Sequence, residues 1–151
     1  VVIESNLPKT FIDGAAMMTL SGIPVIGLTL RHDRIDNFWF VLLHELVHIW
    51  RHVHSPNSLF YDDLDSRPNT DRQETEADEL AGEALVPKNA WDRSPAKFIR
   101  SPEAAKLLAD SLGVHLAIVA GKMRFEAQNY RILTNMVGHG EIRSLFAKKG
   151  S

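Results

Sequence analysis

The chain contains no cysteine, which excludes a disulfide scaffold, a thiolate metal site and a cysteine nucleophile. It has no apolar run near the ~20 residues needed to cross a bilayer, so no transmembrane helix is expected. An N-terminal signal peptide is likewise not legible, and a cytoplasmic protein without membrane contact is the expectation. A strong excess of either charge is missing too: 17 Lys and Arg stand against 19 Asp and Glu, a net charge of −2 at pH 7. What is present is ordinary for one soluble domain, with 151 residues, 44% of them hydrophobic and 24% charged, enough to bury a core. The first residue is Val1, not Met, which fits either a trimmed N-terminus or a fragment of a longer protein.

The small net charge conceals an uneven distribution. Residues 1–96 hold 8 basic and 15 acidic residues, whereas residues 97–151 hold 9 and 4. The basic C-terminal part raises the question of an acidic partner, although its excess of charge is modest.

The stretch with the most chemical content is His44-Glu45-Leu46-Val47-His48. Residues i and i+4 of a helix share a face with their Cβ atoms about 6 Å apart, so two imidazoles can reach one metal ion. The intervening Glu45 is then placed to take a proton from a metal-bound water. A chance match to HExxH arises in roughly 2% of chains of this composition, too often for the motif to decide alone. The surrounding residues 38–52 are apolar over about four turns and predict a buried helix, with Asp36 or Asn37 as its N-cap. Two buried histidines need partners.

A second predicted helix, residues 73–86, ends before Pro87. Ala77, Leu80, Ala81, Ala84 and Leu85 form its apolar stripe, and Glu74 falls inside that stripe. A carboxylate on a packed face needs a partner, and a catalytic zinc site needs a third protein ligand, for which His₂Glu is a standard set. Glu74 is the expected third ligand, with Glu76 as the alternative. Asp78 is expected to hold one histidine by its far ring nitrogen. His52 lies about 12 Å along the axis from His44 and cannot share an ion with both earlier histidines. With Arg51 and His54 it fits a cationic helix end.

Around these helices the pattern is mixed. Residues 1–13 read as a lead-in with one short helix. Gly14–Leu20 and Ile23–Leu30, joined through Ser21-Gly22, predict a hairpin. Pro24 marks the second strand as an edge or sits at its first residue, and an edge near residues 25–30 could receive an extended peptide. Residues 55–72 read as a loop. Its Asp62, Asp63 and Asp65 lack the spacing and glycine of a calcium-binding loop. Further on, Trp91 and Phe98 are expected in the core, and Pro102–Asp110 forms an amphipathic helix. Ala109, Gly113 and Val119 have helix-turn-helix spacing. The second helix of that pair, residues 114–124, offers only His115, Lys122 and Arg124 to DNA, so a structural pair is favoured over base contact. Gly138 and Gly140 mark a loop before a short terminal helix and a frayed tail.

Taken together, HExxH at residues 44–48, Glu74-Thr75-Glu76-Ala77-Asp78 and Ala81-Gly82-Glu83-Ala84-Leu85-Val86-Pro87 resemble the ImmA/IrrE family of metallopeptidases. The likeness covers roughly residues 20–90. Val86 replaces a frequent methionine and Leu80 a frequent aromatic; both changes are apolar. The resemblance implies Zn²⁺ held by His44, His48 and Glu74, with Glu45 as the general base of an endopeptidase. The oxyanion helper stays open among His52, His54, Tyr61 and Arg72. The implied substrate is a protein regulator such as a transcriptional repressor. Arg31–Phe40 and Asn129–Asn135 look similar to a group fused to a helix-turn-helix domain, including HigA-type antitoxins. The competing expectation is a DNA-binding or antitoxin-type regulator whose metal site is structural or sensory. The expected fold is α+β: a small antiparallel sheet on a helical body, with the HExxH helix central and a helical C-terminal part. Residues 1–96 would form the metallopeptidase core and residues 97–151 a helical extension packed on it.

Overall fold

A computed structural model describes residues 1–4, 12–53, 59–60 and 68–146. The fold is α+β, with four short strands in the order β1-β3-β2-β4. The hairpin is present: β2 (Gly14–Met18) runs antiparallel to β3 (Pro24–Thr29), pairing Gly14 with Leu28 and Met18 with Pro24. Gly22 turns the chain at φ 76°, a left-handed value that glycine adopts without steric cost. Ala16, Ile26 and Leu28 lie on the buried face of this pair, the period-2 alternation of a half-buried strand.

Two sequence expectations are corrected at the sheet. Val2–Glu4, inside the stretch read as a lead-in, is a strand, β1, whose β-branched Val2 and Ile3 suit a pleated surface, and residues 5–11 of that stretch lie outside the described residues. It pairs parallel with β3, which makes the sheet mixed instead of wholly antiparallel. Consequently β3 is an interior strand, flanked by β1 over Gly27–Thr29 and by β2 along its length. Pro24 is its first residue, the position where a missing donor costs the ladder least. The backbone of residues 27–29 is already paired on both sides and cannot accept an extended peptide.

The apolar stretch around HExxH forms α1 (Ile35–Arg51). It starts earlier than predicted, so Asp36 lies in its first turn and not ahead of it. Its burial is one-sided: Val47 and His48 are enclosed, whereas Trp39, Leu46 and Trp50 are exposed. The stretch read as a loop contains β4 (Leu59–Phe60), antiparallel to β2, and the start of α2 (Pro68–Leu85). Proline lacks the N–H that the first helical turn leaves unused, so Pro68 opens a helix readily. On α2, Ala77 and Ala81 are fully buried, but Ala84 is exposed. His54, Tyr61 and the three loop aspartates lie outside the described residues.

The chain divides into two compact units, residues 1–32 with 40–82 and residues 33–39 with 83–151. The second unit packs α3 (Lys88–Arg93), α4 (Pro102–Leu112) and α5 (Leu116–Glu126) around Val86, Trp91, Leu108, Ile118, Val119 and Met123. Ser101 caps α4 by accepting from the Ala104 amide at 3.2 Å, and Gly113 ends it at φ 66°. His115 caps α5, its Nδ1 accepting from the Ala117 amide at 3.1 Å. Ala117, Ile118, Val119, Ala120, Met123 and Arg124 of α5 are all buried. That is a core helix, in keeping with the expected structural pair. Phe98, expected inside, is 73% exposed. The final described helix is α6 (Glu141–Phe146). Among the described residues, no helix is long and apolar enough to cross a membrane.

Candidate metal centre

Helix α1 delivers His44 and His48 one turn apart on the same face, and α2 brings Glu74 against them. The two Nε2 atoms are 2.9 Å apart. Glu74 Oε2 lies 3.0 Å from His44 Nε2, and Glu74 Oε1 lies 3.3 Å from His48 Nε2. Bonds of 2.0–2.1 Å in a tetrahedral site put ligand atoms about 3.3 Å from one another. The two imidazole nitrogens and the Glu74 carboxylate, whose two oxygens each face one of them, therefore converge closely enough to offer their donor atoms to one divalent ion. This triangle is the cluster among the described residues whose donor atoms could hold such an ion. Two neutral imidazoles and a carboxylate suit zinc and its first-row neighbours.

The rest of the site is arranged around that triangle. Asp78, one turn beyond Glu74 on α2, sits with Oδ1 2.9 Å from His44 Nδ1. Burial pushes the His44 imidazolium toward deprotonation. The carboxylates of Asp78 and Glu74 outweigh that cost and raise its pKa to about 10. Hydrogen bonds from His44 and His48 hold Glu74 down at about 2. The carboxylates thus make this a pocket that favours positive charge.

Glu45 projects from the adjacent position of α1 and is only 6% exposed. The first residue of β2 lies against it: a Cβ built on Gly14 would stand 2.6 Å from Glu45 Oε1 and 2.6 Å from Val41 Cγ1. Only a residue without a side chain lets the strand and the glutamate approach so closely. Sequence reasoning missed this role of Gly14, because nothing local links an apolar strand's first glycine to a helix that follows it.

Glu76, the alternative ligand, is turned elsewhere. Its Oε1 accepts from Arg51 Nε at 3.0 Å and Nη2 at 2.8 Å, and its Oε2 lies 3.2 Å from His52 Nε2. Arg51, seconded by His52, holds the Glu76 carboxyl below the usual range. His52, expected only to serve the helix end, is turned inward instead: its side chain is 5% exposed and its Nδ1 lies 2.9 Å from His48 Nδ1. The third histidine at a further i+4 step was visible in the sequence. The carboxylate that holds it was not tied to it by any local spacing. Of the oxyanion candidates, His52 is engaged in this way and Arg72 is exposed on α2.

A peptidase family model described as the IrrE N-terminal-like domain matches residues 1–124, a span that includes every member of the triangle. No curated protein matches the chain.

Proposed function

Since this chain belongs to the IrrE N-terminal-like peptidase family, we propose that it is a zinc-dependent endopeptidase in which His44, His48 and Glu74 hold the ion and Glu45 is the general base. The observation that carries this reading is the convergence of His44, His48 and Glu74 donor atoms on one point, with Glu45, the next residue of α1 after His44, buried. His44, His48 and Glu74 would hold the divalent ion, which when bound would supply Lewis acidity toward a water and a peptide carbonyl. The Glu45 carboxylate takes the proton from the attacking water and passes it to the departing amine nitrogen. Asp78 fixes the ring of His44 through Nδ1, and Gly14, by lacking a side chain, leaves room for the Glu45 carboxylate where the β2 strand begins. An intact, buried base is the feature that favours an enzyme over a structural or sensory metal site, where a general base has no work.

The substrate we propose is a protein regulator of the repressor class, met in the cytoplasm, with a helix-turn-helix domain fused or associated. The residues 1–96 carry the catalytic core in this reading, and 97–151 support it. Incubation of zinc-loaded protein with repressor-like substrates, wild type beside Glu45→Gln, tests it. Wild type is expected to cut and Glu45→Gln to lose about 10²–10⁴-fold in rate, the usual weight of a general base. Digests that do not differ while both proteins carry equal zinc would remove the reading. The DNA-binding alternative draws no support from α5, whose surface is mostly consumed by the core.

A further inference from the structure

His48 and His44 are held differently at their far nitrogens. For His44 the partner is a carboxylate, Asp78, in direct contact. For His48 it is the ring of His52, Nδ1 to Nδ1 at 2.9 Å, and His52 in turn reaches Glu76 through Nε2 at 3.2 Å. Glu76 is anchored by the Arg51 guanidinium. The chain Arg51, Glu76, His52, His48 therefore ends at the metal-facing triangle.

The direction of its hydrogen bonds follows from valence. Between two Nδ1 atoms at this distance there is room for one proton. A nitrogen that ligates a metal must present its lone pair, so His48, facing Glu74 and His44 through Nε2, must carry its proton on Nδ1 and donate it. His52 Nδ1 then accepts, and neutral His52 carries its own proton on Nε2. That N–H points at Glu76, whose ionised carboxylate can only accept. Each link has the one polarity that leaves the His48 lone pair toward the site.

Resting on the metal-centre reading above, we infer that His52 and Glu76 are positioning residues that fix the tautomer and ring orientation of His48, as Asp78 does directly for His44. His52 is thus absorbed into the site without being a ligand. Partners of this kind are commonly worth 10–100-fold in metal affinity.

The test compares wild type, His52→Phe, His52→Gln and Glu76→Ala, each folded as judged by circular dichroism. Zn²⁺ affinity is read by chelator competition, and the His48 ring by ¹H–¹⁵N spectra of histidine-labelled, zinc-loaded protein. His52→Phe, which keeps the ring's bulk but offers no acceptor, is expected to bind Zn²⁺ about 10–100-fold more weakly and to lose the hydrogen-bonded His48 Nδ1–H signal. His52→Gln restores an amide oxygen as acceptor and is expected to recover most of both. Glu76→Ala, which leaves His52 in place, is expected to fall between, and carries the test if the Phe variant does not fold. Zn²⁺ affinity within about twofold of wild type in His52→Phe, well below the usual effect of such partners, overturns the inference and leaves the metal centre standing. So does an undisturbed His48 Nδ1–H signal, or a Gln variant no better than Phe. Wild type that takes up no Zn²⁺ overturns the metal-centre reading itself.

Discussion

At the scale of single residues, the site depends on one side chain that is missing. Gly14 lies so near Glu45 that a methyl group there would overlap its Oε1. Gly14→Ala is expected to push the carboxylate aside while His44, His48 and Glu74 keep their places. Misplacing a catalytic group by about 1 Å can cost on the order of 10²-fold. The expected outcome is a large loss of kcat with zinc content unchanged, measured on the same preparation. Loss of zinc in step with activity would place Gly14 outside this role.

The same residues predict a proton balance. His44 is held near 10 in the metal-free protein by Asp78 and Glu74 against its burial, so it is protonated at pH 7 and its Nε2 must shed that proton to ligate. Zinc uptake is therefore expected to release a proton and to strengthen as pH rises. Calorimetry of zinc binding in buffers of different ionisation enthalpy reads this directly, and a heat independent of buffer would contradict it. The sign for stability is opposite. The raised pKa means that the His44 contribution to the metal-free fold is complete below its ordinary value of 6.5 and is lost as pH climbs through about 10. The depressed Glu74, seen from the other side of the same pair, contributes above its ordinary 4.5 and loses this as pH falls through about 2.

Among the elements, α1 serves two ends. Its middle turns carry the histidines, and its first turn anchors within the second unit. There Asp36 is 8% exposed and accepts from Arg34 Nε and Nη2, both at 3.0 Å. Helix α5 comes close through Gly121, where a Cβ would stand 2.6 Å from Asp36 Oδ2 and 2.7 Å from its Cβ. Replacing a helical glycine by alanine ordinarily gains about 1 kcal/mol. At Gly121 the overlap with a buried ion pair is expected to win, with a net loss of about 1–3 kcal/mol by thermal or denaturant unfolding. A stabilised Gly121→Ala would show that the first turn of α1 is loosely held. The helices were legible in outline because their periodicity and punctuation are local: α4 begins at Pro102, as expected, and ends at Gly113, the glycine of the helix-turn-helix spacing. Two features were not. Val2–Glu4 is a strand only because β3 lies beside it, and β4 is a two-residue pairing within a segment rich in turn formers. Long-range pairing of short segments leaves little local pattern to read.

For the molecule as a whole, the basic C-terminal part, residues 97–151, and the helix-turn-helix spacing were the two arguments for nucleic acid. Among the described residues, five of the nine basic side chains of that part have partners within the fold. Lys97 pairs with Asp92, Lys106 with Asp110, Lys122 with Glu126 and Arg143 with Asp33, while Arg124 is buried and donates to the Tyr130 carbonyl. Charges partnered in this way release few counterions from DNA. The chain is expected to give no sequence-specific DNA shift at physiological salt in a gel or anisotropy assay; a salt-dependent, sequence-selective shift would reopen that function. The cluster of His44, His48 and Glu74 was readable because HExxH and Glu74 lie on two strongly patterned helices. The contacts that tune it, Gly14 on Glu45 and Glu76 through His52 on His48, join distant segments, and no spacing rule in one sequence connects them.

The account stands on the claim that the cluster of His44, His48 and Glu74, with Glu45 beside it, exists to hydrolyse peptide bonds. The most direct measurement is a digest of a diverse peptide library by zinc-loaded wild type and by zinc-loaded Glu45→Gln, with new termini read by mass spectrometry. Wild type is predicted to generate new internal termini that vanish on chelation and are absent from the Glu45→Gln digest. Equal zinc in the two proteins and the same peptides recovered from both would contradict it.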